Sequence, residues 1–200
     1  LDFAEKASSL IKKKGIDAEI LGICFHPGSA KELSYEESME RVSYGIQWVL
    51  DEVPGTQKLL IETTAGAGTT LGRNFEELKK MRDNVKEKNR VGYVVDTQHT
   101  FSSGYDWNNK MEEVISEMQG ELGLENIKTI HLNDSMSDCS SNKDRHADLG
   151  KGKLGEETIS KILNKRKLKN IPFILETPSL KSPNGIVQEV AMLKKLARIS

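Results

Sequence analysis

The stretch Val94-Val95-Asp96-Thr97-Gln98-His99-Thr100-Phe101 decides the fold: an apolar run ends on a carboxylate, and an imidazole follows three residues later. The pattern recurs along the chain. Ile23-Cys24-Phe25 runs into His26, Leu59-Leu60-Ile61 into Glu62, Lys128-Thr129-Ile130 into His131, and Phe173-Ile174-Leu175 into Glu176. Short β-rich runs alternating with helical stretches predict a parallel sheet, whose strands deliver their C-terminal residues to one shared face. A polar site of imidazoles and carboxylates is expected there.

Around these runs the chain reads as strand, loop and helix units. Leu1 to Lys14 has apolar residues at Phe3, Ala7, Leu10 and Ile11, a helical spacing, with Gly15 placed as its stop. Ala18 to Phe25 is the first expected strand, broken by His26-Pro27-Gly28-Ser29. Ser34-Tyr35-Glu36-Glu37 has the form of a capping box and opens a helix to about Leu50, which Pro54-Gly55 ends. Lys58 to Glu62 is the second strand. Thr63 to Gly68 then serves either as a tight turn or as a close backbone approach to a phosphate, and turn chemistry is the commoner meaning of so short a motif.

Asn74-Phe75-Glu76-Glu77 starts a charged helix to about Lys88, Val91 to Asp96 is the third strand, and Trp107 to Gln119 has helical spacing. Asn126 to Leu132 is the fourth strand. Asn133 to Gly155 is long, polar and aperiodic, and loops of that length usually carry function or lack order. A helix over Glu156 to Leu163, a fifth strand over Ile171 to Glu176 and a closing helix over Ile186 to Leu196 follow, and residues 1–200 read as one domain or the C-terminal portion of one.

Two hundred residues with 36% hydrophobic content supply a real core. The chain opens on Leu1 inside a helical pattern, which reads as part of a longer polypeptide. No run approaches the roughly 20 apolar residues that span a bilayer, and Asp2, Glu5 and Lys6 interrupt any signal-peptide core, so an intracellular protein without membrane contact is expected. Cys24 and Cys139 stand far apart and form no metal-type pair or disulfide framework. With 29 basic against 30 acidic residues, the formal charge of -1 gives no global attraction for nucleic acid. A polyanion would have to be met locally, and bound cations could do that.

All four histidines, His26, His99, His131 and His146, fall at strand ends or in the loops beyond them, and none lies in a predicted helix. Each alone reads as a hydrogen-bonded structural residue. Glu62, Asp96, Asp144 and Glu176 join them in one layer, and imidazole with carboxylate suits zinc, manganese or iron better than calcium. Asp144 and His146 would share a face of an extended loop. Each carboxylate could instead cap a following helix. Glu62 and Glu176 escape that alternative better, because a carboxylate buried at the end of an apolar strand needs a cation or a donor. Tyr105 and Trp107 read as core rather than as a stacking platform. No Gly-x-Ser-x-Gly elbow supports a nucleophilic triad.

His26-Pro27-Gly28-Ser29, Glu62-Thr63-Thr64-Ala65-Gly66, Asp96-Thr97-Gln98-His99, Gly104-Tyr105-Asp106, His131-Leu132-Asn133-Asp134-Ser135, Asp144-Arg145-His146 and Leu175-Glu176-Thr177-Pro178 resemble, in order, the motifs of the endonuclease IV family. The resemblance implies a TIM-barrel apurinic/apyrimidinic endonuclease with three zinc ions, acting on abasic sites in double-stranded DNA as a monomer when complete. It implies that Glu62 bridges two zincs, one also held by His26 and the other by Asp96, His131 and Glu176, while His99, Asp144 and His146 hold the third. It places Glu62 and Glu176 in the catalytic roles.

The family's barrel begins with strands carrying a further histidine ligand, which have no counterpart before Leu1, so one metal would lack a ligand. Gln98 stands where the family often has cysteine, Met136 where it often has lysine, and Ala67 where a larger polar residue is usual. The expected architecture is therefore a partial (β/α)8 barrel: five C-terminal strand-helix units, an open sheet and an exposed edge near residues 19 to 25. A xylose-isomerase-like sugar isomerase and a non-catalytic metal-binding remnant are the alternatives.

Overall fold

Parallel strands dominate the computed structural model, which describes residues 1–198. A helix α1 (Asp2–Lys14) ends on Gly15, whose φ of 63° is the left-handed stop expected of it. The first strand, β1 (Ile23–Phe25), is much shorter than the stretch expected from residue 18. Strand β2 (Leu59–Glu62) sets the limit: Ile23 pairs with Leu59, so residues 18–21 have no paired neighbour and stay irregular. Between them α2 (Tyr35–Glu52) opens on Ser34 with both halves of the capping box formed.

The chain continues through α3 (Phe75–Asp83), β3 (Val91–Asp96), α4 (Thr97–Ser103), α5 (Met111–Glu117) and β4 (Ile127–His131). Helix α3 stops well before Lys88 because Val85 turns inward and is buried in the core. The long loop after β4 is not structureless: β5 (Asp134–Ser135) and β6 (His146–Ala147) form a small antiparallel ribbon. Helix α6 (Gly155–Leu163), strand β7 (Phe173–Ile174) and helix α7 (Pro183–Leu196) close the order.

The main sheet runs β1-β2-β3-β4-β7, all parallel, with neighbours in sequential order. That order has no reversal point of the doubly wound kind and is the order of a barrel wall. Strand β1 forms one edge, with Ile23 and Cys24 exposed.

Alternation along the strands sorts the two faces. Leu59, Ile61, Val91, Tyr93, Val95, Ile127 and Ile130 join the cluster that includes Ile46, Leu78, Ile115 and Ile159 of the outer helices. Each fully buried aliphatic or aromatic side chain there contributes about 1.5–3 kcal/mol. Register pairs Glu62 with Val94, and Asp96 with His131, so carboxylates and imidazole lie side by side on the opposite face. A shift at Tyr93/Val94 keeps Thr129 and His131 on that inner face.

Candidate metal centre

Strands β2, β3 and β4 end on Glu62, Asp96 and His131, His26 follows β1 directly, and Glu176 lies two residues beyond β7, whose expected span of Ile171 to Glu176 shrinks to the two residues that pair with β4. Asp96 ends β3 and caps α4, its Oδ1 accepting from the His99 backbone N–H at 2.9 Å. Asp96 thus caps α4 and also lies among the converging donor atoms, two readings that the sequence kept apart. His99 therefore sits inside a helix, contrary to the expectation that no histidine does. Helix α4 gives no periodic signal because Thr97-Gln98-His99-Thr100 lacks apolar spacing, and Asp96 to Ser102 is buried throughout.

The expected residues do converge. His26, Glu62 and His99 form one group of mutually close donor atoms, Asp96, His99 and His146 a second, and Glu62, Asp96, His131 and Glu176 a third. Asp144 reaches the second group, its oxygens lying 3.4 Å from His99 Nε2 and 3.5 Å from His146 Nε2. Glu62 links two groups: one oxygen lies 3.2 Å from His26 Nε2, the other 2.8 Å from His131 Nδ1. Glu62 is 6% exposed, as expected of a strand-end carboxylate, whereas the Glu176 side chain is 45% exposed because it lies beyond the short edge strand β7.

Donor orientation is a test of whether cations fit. His99 Nδ1 lies 2.9 Å from the Thr63 carbonyl oxygen and His146 Nδ1 3.2 Å from the Glu176 carbonyl oxygen, so both Nδ1 atoms donate. Their Nε2 atoms then face one another at 3.4 Å beside the Asp144 carboxylate. Two nitrogen lone pairs and an anion converging on one point require a proton or a cation between them, and such backbone-locked tautomers are the usual support of metal-ligating histidine. The residues fit divalent ions of the zinc type.

Without metal, His99 and His131 hold their protons tightly. Burial alone would lower His99, yet the charges of Asp96, Asp144 and Glu62 outweigh it and push its pKa up to about 9. His131 is likewise opposed by burial but lifted by Glu176 and Glu62, to about 10. Burial would raise Glu62, but hydrogen bonds with His131 and His26 hold it well below the usual carboxylate range. Asp144 is lowered chiefly by His99, and Glu176 chiefly by His131.

Several supporting residues carried no signal of their own. Asn133, fully buried, donates through Nδ2 to Asp96 Oδ2 at 2.6 Å and accepts at Oδ1 from the Glu176 N–H at 2.9 Å. Asp134 accepts from the N–H groups of Ser135, Gly152, Leu154 and Gly155 and so pins the ribbon bearing His146. The Thr63–Gly68 stretch turns rather than opening a phosphate cradle: Thr64 N–H bonds Gly72 O and its hydroxyl bonds Leu71 O. Trp107 is core as expected, its Nε1 donating to Thr100 Oγ1 at 2.9 Å. Among the described residues no helix is long and apolar enough to cross a membrane.

Comparison with known proteins agrees with this layout. The family model described as xylose isomerase-like TIM barrel matches residues 2–196. The chain is 41% identical over 174 residues to the probable endonuclease 4 of Alkaliphilus oremlandii, covering 87% of this chain and 61% of the relative. It is 37% identical over 196 residues to that of Halothermothrix orenii, covering 96% and 70%. The crystal structure of endonuclease IV from Thermus thermophilus superposes with a TM-score of 0.77 at 30% identity, covering 90% of this chain and 63% of that one. The chain thus spans about three fifths of the length of the first of these relatives. With the family model matched over nearly the whole chain and 37% identity to a relative covered to 70%, the chain belongs to the endonuclease IV family, within the xylose isomerase-like TIM barrels.

Proposed function

We propose that this protein is a DNA repair endonuclease that hydrolyses the phosphodiester 5′ to an abasic nucleotide in duplex DNA, leaving a 3′-hydroxyl and a 5′-deoxyribose phosphate, with three zinc ions in its complete centre. The observation that carries this reading is the shared use of Glu62, which joins the His26 group to the Asp96–His131–Glu176 group, beside the His99–Asp144–His146 group. Membership of the endonuclease IV family supports the same reading.

Divalent ions held by such a set supply Lewis-acid stabilisation of phosphoryl charge and make water acidic enough to attack near neutral pH. The chain's own part is to place the donors. Asn133 aims Asp96, the Thr63 and Glu176 carbonyls set the tautomers of His99 and His146, and Glu62 and Glu176 flank His131. An abasic nucleotide suits such a recessed polar face, because a residue without a base costs less to swing out of the helix.

The test is to incubate the zinc-loaded protein with abasic duplex, intact duplex and an aldose. Incision only of the abasic strand, with a 3′-hydroxyl end, is expected. Aldose–ketose conversion without incision would move the assignment to a sugar isomerase, and neither reaction would make the centre a non-catalytic metal site.

A further inference from the structure

Asp144 has no strand or helix to hold it. It lies in the irregular stretch between β5 and β6, its side chain is 55% exposed, and its oxygens face the Nε2 atoms of His99 and His146. Asp96, by contrast, is fully buried and held by Asn133 and by the His99 N–H. The place of Asp144 is therefore set by the path of the backbone before it.

That backbone is docked on the end of α4. The N–H groups of Ser140 and Asn142 donate to the Phe101 and Ser102 carbonyls at 3.2 and 2.8 Å, in the last turn, where a helix runs short of donors. The Asn142 side chain donates to the Ala65 carbonyl at 3.1 Å. Docking strains the loop: Ser140 and Asn142 both take left-handed backbone, with φ of 61° and 53°, which side chains disfavour. Such backbone persists where surrounding contacts over-determine it.

Gln98, fully buried and one residue before His99, completes the dock from within α4. Its Nε2 donates to Ser102 Oγ at 2.7 Å and to the carbonyl of Lys143, the residue before Asp144, at 3.0 Å, with Ser135 Oγ third at 3.3 Å. Its Oε1 is buried without a hydrogen-bond partner. An apolar side chain of similar length would bury no such orphan, so stability alone does not account for an amide here. What the amide provides is a donor aimed at the peptide that carries Asp144.

We propose that Gln98 is a positioning residue: its Nε2 holds the Lys143 carbonyl, locks residues 140–145 onto the end of α4, and thereby sets Asp144 beside His99 and His146 to receive one divalent ion. This rests on the metal-centre reading above. Gln98 acts through the peptide and not on the ion, so one helix supplies the His99 imidazole and also fixes the carboxylate facing it.

The test removes the donor and the orphan together. Gln98→Met and Gln98→Leu are made in the parent chain and in the chain carrying Asp144→Asn, and zinc is titrated against a chromophoric chelator. In the parent background one ion equivalent should weaken by about 10- to 100-fold, as when a partner of a metal ligand is lost, while the metal-free melt stays cooperative. With Asp144→Asn the same substitutions should change affinity little, because the carboxylate that Gln98 positions is already gone. Trypsin should also cut faster after Lys143 in the metal-free variants, whose loop has lost an anchor. Parent-like affinity and cleavage in a cooperatively melting variant would overturn the role. So would a loss of affinity that persists undiminished with Asp144→Asn, which would place the effect on His99 or on the core. If neither variant melts cooperatively, Gln98 is a core residue and the role falls. A parent chain that binds no zinc would instead remove the metal-centre reading, and this role with it.

Discussion

Asn133 offers no donor atom to a metal, yet it touches two of the side chains that do or their backbone. Its amide ties Asp96 at the end of β3 to Glu176 beyond β7, and with the backbone N–H of His99 it fixes both Asp96 oxygens. Asn133→Ala should therefore lower metal affinity by about 10- to 100-fold and cost about 1–3 kcal/mol of stability through the unpaired groups left behind. Competition with a chromophoric chelator measures the first and urea unfolding the second; unchanged affinity would show that Asp96 needs no such aiming. Glu176→Gln removes charge from a residue that also contacts His131 at 3.1 Å, and should abolish incision while sparing much of the DNA binding. Near-normal turnover would return Glu176 to a structural role. Glu62, Asp96 and His131 were legible in the sequence because an apolar strand that ends on an ionisable group must compensate the cost of burying it. Asn133 was not legible as a support of Asp96, since an amide beside a strand end is ordinary until its partners are seen.

At the scale of the element, the ribbon of β5 and β6 depends on Asp134. Both oxygens of this buried carboxylate are occupied by backbone N–H groups from residues 135 to 155, which folds the loop from Gly150 to Gly155 back over the ribbon. Gly152 sits against it so closely that an added Cβ would overlap Asp134 Oδ1 and the Ser135 carbonyl. Gly152→Ala should thus cost about 1–3 kcal/mol, as overpacking does, and loosen the strand that presents His146. Thermal unfolding together with faster amide exchange at His146 and Ala147 would show it; a mutant with wild-type exchange there would sever the loop from the ribbon. The sequence disclosed the helices that announce themselves, such as α2 with its Ser34–Glu37 box. It concealed β5 and β6, whose two-residue strands have no room for alternation, and it lengthened β1, because a strand's extent is set by the partner that pairs with it and not by its own apolar run.

For the whole molecule, the centre sets how stability responds to pH, and the sign differs between the metal-free and loaded protein. In the metal-free chain His99 and His131 have pKa values raised from 6.5 to about 9 and about 10. Raised imidazole values contribute stability that is complete below pH 6.5 and is lost as pH climbs through the folded values. Glu62, Asp144 and Glu176 are lowered instead, so their contribution is present above the ordinary carboxylate range and is lost as pH falls through their depressed values. The metal-free chain should therefore be most stable between about pH 4.5 and 6.5 and weaken toward pH 9 to 10. Metal ligation demands the opposite protonation: His99 and His131 must shed protons that Asp96, Glu62 and their neighbours help to retain. At a fixed free zinc concentration, the rise in Tm on loading should be small near pH 6.5 and grow steadily toward pH 9. Comparing melts in a zinc buffer and in chelator at each pH cancels the titration of lysines and surface carboxylates far from the centre. A zinc-induced rise that stays flat across this window would mean that the imidazoles are not the groups displaced, and would detach His99 and His131 from the metal-holding role their geometry supports.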